Sequence, residues 1–290
     1  MKMARFWTRD FAEAMRPNGT RIRVRARGWS DDSFEAARRV ARDVAQRIAD
    51  AVARGQVGRQ QYLYGDRPLP EPMVREIGGN AVVTRNSYGA LVLNTQNLMF
   101  IDIDREDQAT QAQQAQNLVS NVLSMFRKPA PLTPPPAPAR SVVVDDIERV
   151  ARQNGLAMRV YRTAAGYRAM VTNLSFEPAA PQTEALLRQF GADELYIRLC
   201  RAQESFRARL SPKPWRCGLG RPAFTYPYTT PDEEARAAQW IRRYTETVPR
   251  WATCKFVATV GASDIASAFA DLVAYHDRET RAGEAILPLA

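Results

Sequence analysis

The alternation of apolar and polar residues divides the chain into short strand-type runs and longer helical ones. Arg21-Ile-Arg-Val-Arg-Ala-Arg27 has a period of two, which predicts a strand with arginine on one face. Ser30-Asp-Asp32 offers caps for an amphipathic helix from Ser33 to about Ala53, closed by Gly55. Short β-type runs follow at residues 81–84, 91–93 and 98–104, with the turn Asn86-Ser-Tyr-Gly89 between the first two. The Gln/Ala-rich run over about 108–126 predicts a helix. It ends at Lys128-Pro-Ala-Pro-Leu-Thr-Pro-Pro-Pro-Ala-Pro138, which reads as an extended linker.

Beyond the linker, a helix capped by Asp145 or Asp146 should stop near Asn154-Gly155. A hairpin is expected next, with strands at 157–163 and 167–172 around the turn Ala164-Ala-Gly166. Helices are predicted at 181–190, 193–203, 231–247 and 263–275, and strands at 205–210 and 253–259. Strands and helices interleave without a regular βαβ period, so the fold class is α+β with a mainly antiparallel sheet backed by helices. The organisation reads as a basic strand-and-helix module (1–57), a first part of the core with an acidic strand (58–127), the Pro-rich linker (128–140) and a second part with basic loops and C-terminal helices (141–290).

Composition narrows the chemistry. The apolar runs are far below the roughly 18 residues of a membrane span, and residues 1–15 carry Arg9, Asp10 and Glu13 where a secretion signal needs an apolar core. The expectation is a cytoplasmic protein with no membrane partner. Three scattered cysteines and one histidine, His276, leave too few ligands for a structural zinc site. Any metal chemistry would then use carboxylates, hence hard ions such as Mg²⁺ or Mn²⁺. The formal net charge is +10, and of the 41 basic residues 37 are arginine and 4 lysine. Arginine codons of a GC-rich genome would account for this; so would a surface built for phosphate.

Three segments carry candidate chemistry. In Leu98-Met-Phe-Ile-Asp-Ile-Asp104, Asp102 and Asp104 share one strand face while Ile101 and Ile103 take the other. Two carboxylates about 6–7 Å apart on a strand can hold divalent ions that bind substrate phosphates; the competing reading is a strand end followed by a solvated turn. The hairpin Arg159-Val-Tyr-Arg-Thr-Ala-Ala-Gly-Tyr-Arg168 offers Arg162, Thr163 and Arg168 for phosphate, or else solvated surface arginines. Phe206-Arg-Ala-Arg-Leu-Ser-Pro-Lys-Pro-Trp-Arg216 places Arg207 and Arg209 on a short strand, then Lys213, Trp215 and Arg216 on a loop stiffened by two prolines. That loop suits a triphosphate or a nucleic-acid backbone with Trp215 as stacking surface, unless the tryptophan plugs the core. His276, alone near a helix end, reads as a cap or packed side chain outside the site. No GxGxxG or GxxxxGK[ST] motif occurs, which argues against Rossmann and P-loop enzymes.

Met99-Phe-Ile-Asp-Ile-Asp104 followed by Thr163-Ala-Ala-Gly-Tyr-Arg168 resembles the first two motifs of the archaeo-eukaryotic primase superfamily. The resemblance covers about residues 80–210. It implies a primase-like fold with an RRM-like catalytic sheet and an N-terminal α/β module. It also implies metal ions on Asp102 and Asp104, and a triphosphate against the second motif. The family's second motif carries histidine where this chain has Arg168, and its third, an apolar strand ending in Asp or Glu, has no clean copy here. The segment Leu199–Arg216 also resembles bacterial proteins of uncharacterised activity. The expected function is a Mg²⁺- or Mn²⁺-dependent nucleotidyltransferase, with Asp102 and Asp104 as catalytic metal ligands. Arg162, Thr163, Arg168, Arg207, Arg209, Lys213 and Arg216 would bind the nucleotide. The alternatives are a non-catalytic nucleic-acid-binding protein of degenerate primase-like fold, and an interaction subunit that docks a protein partner through the Pro-rich linker.

Overall fold

The computed structural model describes residues 1–56, 68–104 and 141–290. The helix expected over 108–126 and the Pro-rich linker lie outside the described residues. What is described is an α+β fold of three antiparallel sheets and six α-helices.

The N-terminal module is a hairpin and one helix. Strand β1 (Phe6–Met15) pairs with β2 (Arg21–Ser30), and α1 (Phe34–Ala53) lies across them. Ser33 caps α1 by accepting from the Ala36 amide at 3.1 Å. Its buried stripe, Ala37, Ala41, Val44, Ala45, Ala49 and Val52, follows helical spacing, and the last four pack on Ala12, Ala14 and Ala26 of the hairpin. Small residues bring the backbones together. A Cβ at Gly28 would stand 2.0 Å from the Ala37 carbonyl and 2.3 Å from the Ala41 amide.

A second sheet runs in the order β3-β4-β5-β9. Its strands are β3 (Met73–Ile77), β4 (Ala81–Arg85), β5 (Leu91–Thr95) and β9 (Phe206–Arg209). The third, ordered β10-β7-β8-β6, contains β6 (Phe100–Ile103), β7 (Ala157–Thr163), β8 (Gly166–Val171) and β10 (Cys254–Gly261). Strand β6, with Asp102, stands at an edge of this sheet among the described residues. Helices α2 (Val142–Gln153), α3 (Pro181–Gln189), α4 (Glu194–Gln203), α5 (Pro231–Thr247) and α6 (Ser267–Thr280) complete the fold. No described helix is long and apolar enough to cross a membrane.

The two four-stranded sheets share one core, in which Leu93, Phe100 and Ile101 meet Tyr161, Phe206 and Phe269. Residues on both sides of the Pro-rich stretch therefore build a single core, separate from the small cluster under α1. The buried Tyr196 hydroxyl joins the sheets: it donates to the Phe100 carbonyl of β6 at 2.9 Å and accepts from the Arg207 amide of β9 at 3.4 Å.

Against expectation, the strands form three sheets rather than one, and β1 and β3 are additions. Strand β1 mixes Arg9, Asp10 and Glu13 with its aromatics, so its period is masked. Helix α2 starts earlier than expected because Ser141, not Asp145 or Asp146, accepts from the first-turn amide of Val143. Helix α6 begins later, at Ser267, and runs on to Thr280.

Gly28→Ala is expected to cost about 1–3 kcal/mol, because the new methyl meets helix backbone that can relieve the clash only by moving. Chemical denaturation monitored by far-UV circular dichroism would measure it; unchanged stability would mean that α1 does not lie so close to β2.

Candidate functional site

The site is built on one row across the third sheet. The registers Phe256↔Tyr161, Tyr161↔Arg168 and Arg168↔Asp102 put these four side chains on the same face. Arg168 is 3% exposed. Its Nε lies 3.9 Å from Asp102 Oδ1, and its Nη1 donates to the Arg209 carbonyl at 2.9 Å. Nη1 also faces His276 Nε2 at 3.5 Å. One buried guanidinium thus ties the acidic strand, the second sheet and α6 together.

His276 continues the network. Since Arg168 can only donate, His276 Nε2 accepts, and the ring proton sits on Nδ1, 3.0 Å from Asp277 Oδ1. Asp277 also accepts from Tyr161 Oη at 2.6 Å and from Arg159 Nη2 at 2.5 Å. Burial, aided by the charges of Arg168 and Arg159, lowers the His276 pKa from 6.5 to about 4 although Asp277 opposes the shift. The imidazole is neutral at pH 7.

Facing Asp102 and Asp104 are basic groups from β9 and the turn after it. Burial raises the pKa of Asp104, and the charges of Asp102 and Asp193 raise it further, while Lys213 and Arg209 lower it. Lys213 is shifted down by burial and by Arg209 and Arg216, with Asp104 and Asp102 opposing. Arg216 is likewise lowered by burial and Arg209, with Asp104 opposing. Asp104 therefore lies within electrostatic reach of Asp102, Asp193, Arg209, Lys213 and Arg216. Arg209 Nε is buried without a hydrogen-bond partner among the described residues.

The basic turn is held rigidly. Ser211 Oγ accepts from the Leu91 amide at 2.8 Å and meets the Tyr244 hydroxyl of α5 at 2.8 Å, and that hydroxyl reaches the Pro212 carbonyl. Trp215 is 41% exposed. Its ring lies edge-on to Tyr88 at 5.3 Å, with the Arg221 guanidinium 4.7 Å and Lys213 Nζ 5.7 Å from its centroid. It is an exposed platform flanked by cations, not a core plug.

Of the expected site residues, the fold gathers Asp102, Asp104, Arg168, Arg209, Lys213 and Arg216. Three stand elsewhere. Arg207 is taken up by a buried pair with Glu71, both carboxylate oxygens at 2.8 Å, and by Asn94 Oδ1 at 2.6 Å. It ties β9 to the segment ahead of β3. Arg162 pairs with Tyr167 and stacks on its ring at 4.8 Å, on the face of the sheet opposite Asp102. Thr163 accepts from the Ala165 amide in its own turn at 3.4 Å.

His276, expected as a cap or packed side chain outside the site, is indeed packed, fully buried against Phe100 and Tyr161, but it also contacts Arg168; Asp277 and Asp193 had no expected site role. Asp193 caps α4 by accepting from the Tyr196 amide, and its own amide bonds the Asp102 carbonyl at 3.2 Å. The sequence places it at the start of the helix expected over 193–203. Nothing local marked its nearness to β6. The chain matches no protein-family model, no curated protein and no solved structure.

Because the His276 pKa is lowered on folding, the unfolded chain binds the extra proton as pH falls from about 6.5 toward 4, and stability on the order of 3 kcal/mol is lost over that window. Thermal midpoints between pH 7 and 4.5 should therefore fall, and His276→Gln should flatten the slope; an equally steep slope in the variant would exonerate His276. Trp215→Ala is expected to change stability by under about 1 kcal/mol. A loss of about 3–5 kcal/mol in the same melts would instead mark it as packed core.

Proposed function

We propose that the Asp102/Asp104 face is the active site of a metal-dependent nucleotidyltransferase of the primase-polymerase type, acting on nucleoside triphosphates with a nucleic-acid template. The observation that carries the reading is that Asp102 on β6 and Asp104 just beyond it face the basic arm Arg209–Lys213–Arg216, with the charges of Asp104 and Lys213 each acting on the other.

Carboxylate oxygens suit Mg²⁺ or Mn²⁺. Magnesium in particular is held by one or two protein carboxylates and takes its remaining ligands from water and phosphate. Asp102 and Asp104 fit that donor set, although no group of three metal-ligating side chains occurs among the described residues. When bound, the ion would neutralise charge developing on the transferred phosphoryl group. Lys213, Arg209 and Arg216 would hold the triphosphate, so that a 3′-hydroxyl oxygen displaces pyrophosphate at the α-phosphorus. Arg168 is a positioning residue, fixing Asp102 from below. In this reading the third sheet is the RRM-like catalytic sheet of a primase-like fold.

A second reading, the non-catalytic nucleic-acid binder, is favoured by one feature: Asp193, the other carboxylate acting on Asp104 among the described residues, is engaged as a helix cap. One experiment separates them. Protein, Mn²⁺, labelled nucleotides and single-stranded template, with and without primer, should yield extended product. Asp104→Asn should abolish it while leaving template affinity unchanged. Lys213→Ala and Arg216→Ala should each weaken nucleotide binding by about 1–3 kcal/mol with little change in stability. Since Asp104 is shifted upward, Mn²⁺-dependent nucleotide binding should weaken on acidification before ordinary carboxylates titrate. No product with either metal, with nucleic-acid affinity unaltered by Asp102→Asn and Asp104→Asn, would leave the binder.

A further inference from the structure

The outer face of the N-terminal hairpin carries chemistry that the carboxylate site does not use. The β1–β2 register sets Trp7 opposite Trp29, Arg9 opposite Arg27 and Phe11 opposite Arg25, so aromatic and basic side chains alternate in rows on the face turned from α1. At one end lies a concavity of about 440 Å³ lined by Trp7, Trp29, Arg9, Arg25 and Arg27, with Val44 and Ile48 of α1 and Pro68, Pro70 and Thr225 also at its walls. The two indoles are 5.8 Å apart, and Trp7 is buried with its Nε1 donating to the Ala4 carbonyl, so its ring is a fixed surface. Farther out, the Arg23 guanidinium lies 3.2 Å from the Phe11 ring centroid.

Three guanidinium groups, of Arg9, Arg25 and Arg27, converge on this concavity. Arg27 Nε is buried with no hydrogen-bond partner among the described residues. Burial lowers the pKa of Arg9, and Arg27 and Arg25 push it down further, while Glu233, 3.8 Å away, opposes them. Packing three guanidinium groups together costs free energy that a bound anion would return.

We propose that this face binds single-stranded nucleic acid, with Arg9, Arg25 and Arg27 on successive phosphates and an unpaired base against Trp29 over the Trp7 floor. Stacking needs a base freed from its pair, and a cavity of this volume admits one base where a duplex would present only its backbone. An anionic membrane fits less well, because the indoles line a hollow rather than project from the surface. The site is separate from Asp102 and does not depend on catalysis there.

The test is fluorescence anisotropy with labelled oligothymidylate and oligouridylate, alongside a labelled duplex, an acidic peptide and anionic phosphatidylserine vesicles. Wild type should prefer the single strands, and the two single-strand arms report DNA against RNA. Arg25→Ala, at an exposed position, should weaken binding several-fold and lower the salt slope by about one. Trp29→Leu should weaken binding while leaving the salt slope in place. Asp104→Asn should bind the single strands like wild type, so loss of polymerisation and loss of this site read out separately. Unchanged binding in both Arg25→Ala and Trp29→Leu overturns the proposal, as does equal or tighter binding of duplex, peptide or vesicles by wild type.

Discussion

A buried guanidinium has to be satisfied, and the arrangement around Asp102 follows from how Arg168 meets that demand. At 3% exposure its charge has lost nearly all contact with water, a cost of several kcal/mol unless other groups replace the solvent. Its partners come from three separate parts of the fold: Asp102 on β6, the Arg209 carbonyl on β9 and the neutral His276 ring on α6. Each contact is tolerable only if the others hold. The need to solvate one cation therefore fixes the acidic strand relative to the basic arm and seats α6 against the third sheet.

That linkage explains why His276 stays neutral. A protonated ring would bring a second cation to within 3.5 Å of Arg168 in a site closed to water. The acceptor at Nε2 is what Arg168 uses, and the proton at Nδ1 is what Asp277 uses, so either a charged ring or the other tautomer breaks a contact. Tyr161 and Arg159 complete the shell around Asp277 and leave its carboxylate well satisfied despite partial burial. The same row of the sheet thus divides into a closed polar network beneath and a pair of carboxylates at the open edge.

Much of this was legible in the sequence, and the limits were physical. Period-two alternation located Asp102, Asp104 and the hairpin at 157–171, because a strand's faces depend only on neighbouring residues. The Pro-stiffened turn advertised Lys213 and Arg216 for the same local reason. Arg207 shows where such reasoning stops: it shares a strand face with Arg209, yet Glu71, 136 positions away, claims it. Arg162 was misplaced by attention to residue type, although alternation with Tyr161 already assigned it to the other face. His276 and Asp193 join the site through contacts 108 and 91 positions apart that no local pattern encodes.

What distinguishes the Arg209–Lys213–Arg216 arm from ordinary surface basicity is that its cations cannot spread apart. Solvated arginines relieve mutual repulsion by swinging into water, and their pKa values stay unshifted. Here the Ser211 and Tyr244 hydroxyls hold the turn through main-chain contacts, Pro212 and Pro214 restrict its backbone, and Tyr196 pins β9 to β6. Repulsion is therefore retained in the fold: it adds to burial, the larger cause, in shifting Lys213 and Arg216 downward, and Asp104 opposes it. A scaffold that holds like charges together this way has met in advance the reorganisation that binding a polyanion would otherwise require, which is the physical content of preorganisation.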